Sequence, residues 1–358
     1  MVAAADLTQD TNEIESLSVE QARKLAAEFP GVEAEFEIGI GAGRRVARRC
    51  LPLGGLKQLD PDVAKALAGY RKGPLLLAGL TTLNADTVKA LAGSTWLFVL
   101  PKLTALDADA AKAIAELEGA LLSLVGLTAL DTDTARSLAA FKGQRLYLDG
   151  LTALDADAAK ALAAFTGDGL ALNGLKMVDG ATAKALAEFK GRDLYLNGLT
   201  VLDADAGMAL VEFKGQWLGL YGLTTLDAET AIALAMFGGK VRLPFERFGD
   251  DKMPLTAEVA RLVVASRLFS GSLPALTAFE SPDSVAIAKA LAARQGTLSL
   301  PNLKKISAKT LTALIEKRDV AIPAIETLEL IQEPDGSATE DFVIPEWLEK
   351  RQRLGKGR

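Results

Sequence analysis

Apolar residues recur along most of the chain in a pattern that repeats every 23 or 24 residues. In the segment LYLNGLTVLDADAGMALVEFKG, residues 194–215, Leu194 and Leu196 alternate with polar neighbours, as in a strand with one buried face. Asp203 is of a type that caps helix N termini, and the apolar residues after it return at helical spacing. Each unit therefore predicts a short strand, a turn and a helix of about three turns.

Eight consecutive units keep this phase. Their strands begin at Leu51, Leu75, Phe98, Leu122, Leu146, Leu170, Leu194 and Leu218. One unit of this size cannot bury its own apolar face, so neighbouring units must stack and share a core. The pattern predicts an α/β solenoid that forms one elongated body, with parallel strands on one side and short helices on the other.

The repeat also divides the chain. Residues 1–50 are predicted to form an N-terminal cap with a helix and a β-hairpin, and residues 51–241 hold the eight regular repeats. Residues 242–328 contain irregular repeats with a loop insertion near 245–254. Residues 329–358 form a capping tail, because a Pro-Asp-Gly turn and a basic, glycine-containing end break the repeat.

The hairpin prediction comes from strict alternation over residues 32–40. Apolar residues occupy one face there, and Glu33, Glu35 and Glu37 occupy the other. Four arginines follow the glycine turn after residue 40. We expect the glutamates to face arginines across the two strands.

The amino-acid composition excludes several kinds of functional site. The 358 residues include no histidine, and the single cysteine is Cys50. The chain therefore has no internal disulfide, no Cys/His zinc site and no imidazole-based catalytic triad. No catalytic residue, metal ligand or cofactor site is predicted.

Charge and hydropathy limit the partners. The net charge of −6 lacks the basic footprint that phosphate-dominated nucleic-acid binding requires. No run of about 18 apolar residues predicts a membrane span, and the acidic start of the chain does not read as a signal peptide. The sequence predicts a cytoplasmic protein without nucleic-acid or membrane partners.

The unit L-x-L-x-G-L-T-x-L-D followed by a short helix resembles the leucine-rich repeat family, in its bacterial-type form of 23 or 24 residues. The resemblance covers residues 51–241 closely and residues 271–328 loosely. It implies a curved array with a parallel sheet on the concave face, helices on the convex face, and a protein-binding role. The family's usual asparagine column is missing. Leucine replaces it at Leu127, Leu151, Leu175, Leu199 and Leu223, so turn groups are expected to pair with one another or with water.

Three other columns are interpreted as structural. The paired acids of each repeat, such as Asp155 and Asp157, are expected to cap helices rather than hold calcium, since calcium needs six or more converging oxygens. Lysines such as Lys184 are expected on the solvated convex face. The phenylalanine column, which includes Phe189, is expected to form a core spine.

The outward strand positions change character along the array, and these are the candidate site. In the last four regular repeats they favour binding of a protein or peptide partner, because Tyr, Trp and Arg commonly anchor protein interfaces. These candidates are Arg145, Tyr147, Asp149, Asn173, Asp193, Tyr195, Asn197, Trp217 and Tyr221.

The first four repeats carry a second, apolar candidate patch at the same strand positions. It comprises Leu76, Leu97, Val99, Leu121 and Val125. A parallel sheet that is apolar on both faces needs cover on both. A partner, a second copy of the chain or a terminal segment would provide that cover.

These observations favour a non-catalytic binding or scaffold protein that recognises a protein or peptide through its concave sheet. One alternative is a hydrolase that uses carboxylates, either Asp149 with Asp193 on the concave face or Asp250 with Asp251 in the 245–254 loop. Another alternative is a purely structural spacer.

Overall fold

The computed structural model describes residues 10–38, 44–92, 98–117, 121–336 and 344–348. The chain forms two compact units, Met1–Gly222 (unit 1) and Leu223–Arg358 (unit 2). The candidate residues of the strand positions all belong to unit 1.

Unit 1 begins with a 3-10 turn, a helix and a strand pair: Thr11–Glu13, α1 (Val19–Glu28), β1 (Val32–Ile38) and β2 (Arg44–Pro52). The two strands pair antiparallel along their length, with Glu33 opposite Arg49 and Glu37 opposite Arg45. Glu35 differs from the expectation, because its register partner is Ala47.

The repeats of unit 1 supply seven further strands and seven helices among the described residues. The strands are β3 (Leu75–Leu76), β4 (Phe98–Val99), β5 (Leu121–Ser123), β6 (Arg145–Tyr147), β7 (Gly169–Ala171), β8 (Asp193–Tyr195) and β9 (Trp217–Gly219). The helices are α2 (Pro61–Leu67), α3 (Ala85–Leu91), α4 (Ala108–Ala115), α5 (Thr132–Ala139), α6 (Ala156–Ala163), α7 (Gly180–Ala187) and α8 (Ala204–Leu210).

The strands of unit 1 pair in the register of the sequence repeat. β2 pairs parallel with β3, and β4 to β9 form one parallel sheet in chain order. Leu146, Leu170, Leu194 and Leu218 are successive register partners, and their side chains are fully buried. The predicted α/β solenoid is confirmed.

The helices start where the acid column predicts. In α4 to α8 the N-cap aspartates accept a hydrogen bond from the backbone N–H three residues later, at 2.7–2.8 Å. These aspartates are Asp107, Asp131, Asp155, Asp179 and Asp203. Asn84 caps α3 in the same way, at 2.9 Å.

The phenylalanine column forms the predicted spine. The rings of Phe141, Phe165, Phe189 and Phe213 stack nearly parallel, with centroids 6.1–6.4 Å apart. The glycine two residues after each ring provides the space: a Cβ on Gly215 would lie 2.1 Å from Cζ of Phe213. α8 itself ends at Leu210, five residues before Gly215.

The N-terminal segment closes the first repeat. The Oδ1 atom of Asn12 accepts a hydrogen bond from the backbone N–H of Gly54 at 3.1 Å. A Cβ on Gly55 would lie 2.5 Å from the carbonyl oxygen of Ile14, so the two backbones lie in close contact. This segment therefore occupies the place of a preceding repeat at the first turn.

Unit 2 has a less regular version of the same organisation. Its elements are α9 (Ala228–Ala235), β10 (Lys240–Arg242), α10 (Ala257–Ala265), α11 (Ser284–Ala292), β11 (Leu298–Ser299), β12 (Lys305–Ser307), α12 (Ala308–Ile315), β13 (Val320–Ala321) and β14 (Glu329–Ile331), with 3-10 turns at Phe245–Arg247 and Ile325–Thr327. β11 pairs parallel with β13, and β12 with β14.

A buried carboxylate holds the chain just after β14. Glu333 accepts hydrogen bonds from Ser307 Oγ at 2.8 Å and from the backbone N–H of Lys309 at 3.0 Å. Both donors lie at the N terminus of α12, where a negative charge is stabilised by the helix dipole. The chain after β14 is thereby fastened to the last helix.

Candidate functional site

The outward side chains of β5 to β9, together with the residue that follows each of these strands by two positions, form a surface that we call the strand face. The sequence predicts a solvated surface here. The structure contradicts this for several residues, because Tyr147, Asp149, Asn173 and Asp193 are all less than 10% exposed. Three kinds of contact bury them.

The first is a ladder of hydrogen bonds between successive repeats. Asp149 Oδ1 accepts from the backbone N–H and the Nδ2 of Asn173, at 2.9 and 2.7 Å. Asn173 Oδ1 accepts from the N–H of Asn197 at 2.8 Å, and Asn197 Oδ1 accepts from the N–H of Tyr221 at 3.2 Å. These side chains hold the turns of four repeats together.

This ladder corrects two expectations. The family pattern places a polar ladder at the leucine column, and the sequence predicts Asp149 and Asn173 to be exposed partner contacts. The ladder lies two positions earlier, and both side chains are occupied within the chain. The leucine column behaves as expected, since the N–H of Leu151 bonds to the carbonyl of Leu148 in its own turn. The 24-residue spacing of one Asp and two Asn residues was the available signal for the ladder.

The second contact is an ion cluster around Asp193. Arg192 binds its carboxylate through two hydrogen bonds, Nε to Oδ1 at 3.0 Å and Nη2 to Oδ2 at 3.1 Å. Arg145 Nη2 lies 3.5 Å from Oδ2, and the hydroxyl of Tyr195 donates to Oδ2 at 3.3 Å. The buried charge of Asp193 is thus compensated by two guanidinium groups and a phenol.

The same cluster shifts three pKa values. Burial lowers the pKa of Arg145, but interactions with the Tyr147 and Tyr195 hydroxyls outweigh it and hold the pKa above its ordinary value. The hydrogen bonds to Asp193 raise the pKa of Arg192. Burial and the charge of Asp193 raise the pKa of Tyr195, with a smaller opposing effect from Arg145. At neutral pH both arginines are charged and Tyr195 keeps its proton.

The third contact is packing of large side chains over small ones. Tyr147, Leu121 and Ala171 form a buried cluster, with Val125 and Tyr195 against it. Ala171 is the register neighbour of both tyrosines, so their rings cover it. Tyr147 therefore belongs to the local core and is not an exposed anchor.

Five predicted partner-binding residues keep accessible surface. Tyr221 is 43% exposed, and the Arg145 side chain is 34% exposed. Tyr195, Asn197 and Trp217 are half-buried. The strand face therefore presents these residues above a floor that includes Gly169, Ala171 and Gly219.

The second, apolar candidate patch is only partly exposed. Leu76, Val99 and Val125 are half-buried, and Leu121 is buried against Tyr147. Leu97 lies outside the described residues. Part of the expected cover thus comes from Tyr147 of the adjacent repeat.

The 245–254 loop is a packed insertion in unit 2. Phe248 and Met253 are fully buried. Asp250 Oδ1 accepts from the backbone N–H groups of Lys252 and Met253, at 2.9 and 2.6 Å, and Oδ2 lies 3.7 Å from Arg247 Nε. The carboxylate of Asp250 is used to shape the loop.

Unit 1 also has an open groove of about 1190 Å³ that the sequence did not reveal. It runs between residues 15–17 and the N-terminal ends of several helices, where Asp60, Asn84, Asp107 and Asp131 contribute to its lining. All four side chains already accept backbone hydrogen bonds as N-caps. Within the described residues, no group of three or more acidic or cysteine side chains is placed to hold a metal ion.

Comparison with known proteins adds little to these observations. No protein-family profile matches the sequence, and no curated protein matches it. Among solved structures, the chain is similar to a chain in the Toll–Spatzle complex, a molecular hub in Drosophila development and innate immunity, with a TM-score of 0.40 and 13% identity. The alignment covers 76% of this chain and 45% of that one, so the chain spans less than half of its length. The leucine-rich-repeat-like fold therefore rests on the repeats of the chain itself.

The length and hydropathy of the helices can also be compared with those of membrane-spanning segments. Among the described residues, no helix combines the length and apolar character needed to span a membrane.

Proposed function

We propose that this chain is a divergent leucine-rich repeat protein that acts as a non-catalytic binding module, holding a protein or peptide on its strand face. The observation that carries this proposal is the set of partly exposed rings Tyr195, Trp217 and Tyr221 on neighbouring rigid strands. Aromatic side chains of this kind supply large contact area with little loss of conformational entropy.

Rigidity of the surface supports the proposal. The backbone N–H of Tyr221 is held by Asn197, which is itself held by Asn173. A surface that is fixed before binding loses less entropy when a partner docks.

Three of the four carboxylates named in the hydrolase alternative have other roles. Asp149 belongs to the ladder, and Asp193 is paired with Arg192. Strand spacing and rise place their Cα atoms roughly 15 Å apart, whereas paired catalytic carboxylates lie within about 10 Å of each other. Asp250 is bound to the backbone of its own loop. The proposal therefore assigns no catalytic residue.

A pull-down from the native source tests the proposal. The wild-type chain is compared with the double variant Trp217→Ala, Tyr221→Ala and with a matched control, Met177→Ala, Val201→Ala, which removes two exposed apolar side chains outside the strands. We expect a partner that the wild type and the control capture and the double variant loses, while far-ultraviolet circular dichroism stays unchanged.

Three results would contradict this. Capture by the Trp217, Tyr221 double variant at wild-type strength would exclude the aromatic part of the strand face. Loss of capture in a Leu76→Ser, Val99→Ser variant instead would move the site to the apolar patch. Absence of any strand-face-dependent partner would favour the spacer alternative.

A further inference from the structure

The charges of the strand face in β6 to β9 are sorted by burial. The carboxylates Asp149 and Asp193 are 4% and 2% exposed, whereas the Arg145 side chain is 34% exposed. The charges presented to solvent here are therefore guanidinium groups, those of Arg145 and of the adjacent Arg192, whose side chain is 46% exposed. The chain as a whole carries a net charge of −6.

Arg145 is not needed to neutralise Asp193. Arg192 already contacts both carboxylate oxygens, at 3.0 and 3.1 Å, while Arg145 makes a single longer contact at 3.5 Å. A guanidinium group has five N–H donors in a planar fork. The contacts of Arg145 with Asp193 and two tyrosine hydroxyls leave donors available for a ligand.

The guanidinium of Arg145 is also held in place. Its Nη2 atom lies 3.5 Å from Oδ2 of the buried Asp193, and interactions with the Tyr147 and Tyr195 hydroxyls raise the pKa of Arg145. Gly169 beside it is buried, and a Cβ there would lie 3.5 Å from Cγ of Arg145, so the arginine side chain packs across the intervening strand. A positioned arginine pays a smaller entropic cost on binding than a free one.

We propose that Arg145 binds the carboxylate of an aspartate or glutamate side chain in an extended peptide segment of a partner protein. The proposal rests on the proposed function, and it specifies the partner chemistry of the same surface. A planar guanidinium matches a carboxylate through two parallel hydrogen bonds. Trp217 and Tyr221 then contact apolar residues elsewhere in the same segment. A nucleic-acid phosphate is disfavoured, because such binding needs several accessible cations.

A synthetic array of random peptides tests this. Peptides of about eight residues suffice, because they span four strands at about 4.8 Å per strand. Their C termini are amidated, so carboxylates come only from Asp and Glu. We expect the peptides that bind the wild-type chain to be enriched in acidic residues.

The strongest peptide and its analogue with Gln or Asn at the acidic position are then titrated against three chains: wild type, Arg145→Met and Arg136→Met. Loss of one charge-assisted pair predicts about tenfold weaker binding for Arg145→Met and for the amide analogue. Binding of the amide analogue to Arg145→Met should be no weaker than either single change makes it, because both changes remove the same contact. Arg136→Met is the matched control, as this arginine lies on α5 and contacts Asp133.

Arg145→Met leaves Asp193 paired with Arg192, so unchanged thermal melting verifies its fold. Equal binding of the peptide to Arg145→Met and wild type, or equal binding of the acidic and amide peptides, would overturn the inference. Peptides that bind without acidic residues but are lost in the Trp217, Tyr221 double variant would retain the proposed function and reject the role of Arg145. If no peptide binds the wild type, both are rejected.

Discussion

Arg145 and Asp193 meet across an intervening strand. The Nη2 atom of Arg145 lies 3.5 Å from Oδ2 of Asp193, although β7 separates their strands. Gly169 is the register partner of both residues, and its lack of a side chain permits the contact. One glycine in the sheet therefore decides how the charges of the strand face are arranged.

Substitution of Gly169 tests this arrangement. A Cβ at this position would lie 3.5 Å from Arg145 Cγ and 3.8 Å from Asp193 Cβ, which are ordinary van der Waals distances. We expect Gly169→Ala to stay within about 1 kcal/mol of the wild type. Gly169→Leu should destabilise by roughly 1–3 kcal/mol, because the larger side chain forces the ion pair apart. Urea denaturation measures both, and equal stability of the two variants would show that the gap is not tightly packed.

The ladder gives a second prediction. Asn173 donates to the buried carboxylate of Asp149 and accepts from the backbone of Asn197. Asn173→Ala removes both bonds and should lower the free energy of unfolding by about 2 kcal/mol or more. Met177→Ala, in the same repeat, is the control, since Met177 is 74% exposed. We expect a change within about 0.5 kcal/mol for the control. Similar effects of both changes in denaturant titrations would show that the ladder adds no stability.

The repeating elements could be predicted because their signals lie within one unit. Asp203 precedes α8 and accepts from the N–H of Ala206, as the residue type and position indicate. Leu194 and Leu196 are buried, as the period-two alternation indicates. In both cases the local residue preference and the burial pattern favour the same secondary structure.

The burial of the candidate site could not be predicted in this way, because it depends on contacts between units. Alternation places Tyr147 on an outward face of the sheet. Its ring is nevertheless buried, because it packs against Ala171 and Leu121 in the adjacent strands. Likewise, Asp149 becomes structural only because the N–H of Asn173 lies beside it. Sequence periodicity shows which face a side chain occupies but not whether its neighbours cover that face.

The phenylalanine spine gives a third prediction. Phe189 is buried and stacks between Phe165 and Phe213, at 6.2 and 6.1 Å. Phe189→Ala should destabilise by roughly 3–5 kcal/mol through loss of burial and creation of a cavity. Lys184→Ala on the exposed side of α7 should stay within about 0.5 kcal/mol. If denaturant titration shows equal effects, the assignment of buried and exposed faces of the repeat is wrong.

The helix caps give a prediction that depends on pH. The hydrogen bond from the backbone N–H of Thr134 to Oδ1, at 2.7 Å, lowers the pKa of Asp131 below its ordinary value of 3.8. Because the folded state then favours the carboxylate, the stabilisation by Asp131 is fully present above the pKa of the unfolded chain. It is lost as the pH falls through the lower pKa of the folded state.

We therefore expect Asp131→Ala to cost about 1 kcal/mol at neutral pH, as for other N-cap substitutions. The difference from wild type should stay constant down to about pH 5 and narrow below about pH 4, where the wild-type carboxylate becomes protonated. Asp133→Ala is the control, because Asp133 is exposed and pairs with Arg136 on the helix surface. Its cost should be within about 0.5 kcal/mol. Urea midpoints measured between neutral and acid pH check both variants, and a difference for Asp131→Ala that grows on acidification would show that the cap acts through the protonated acid.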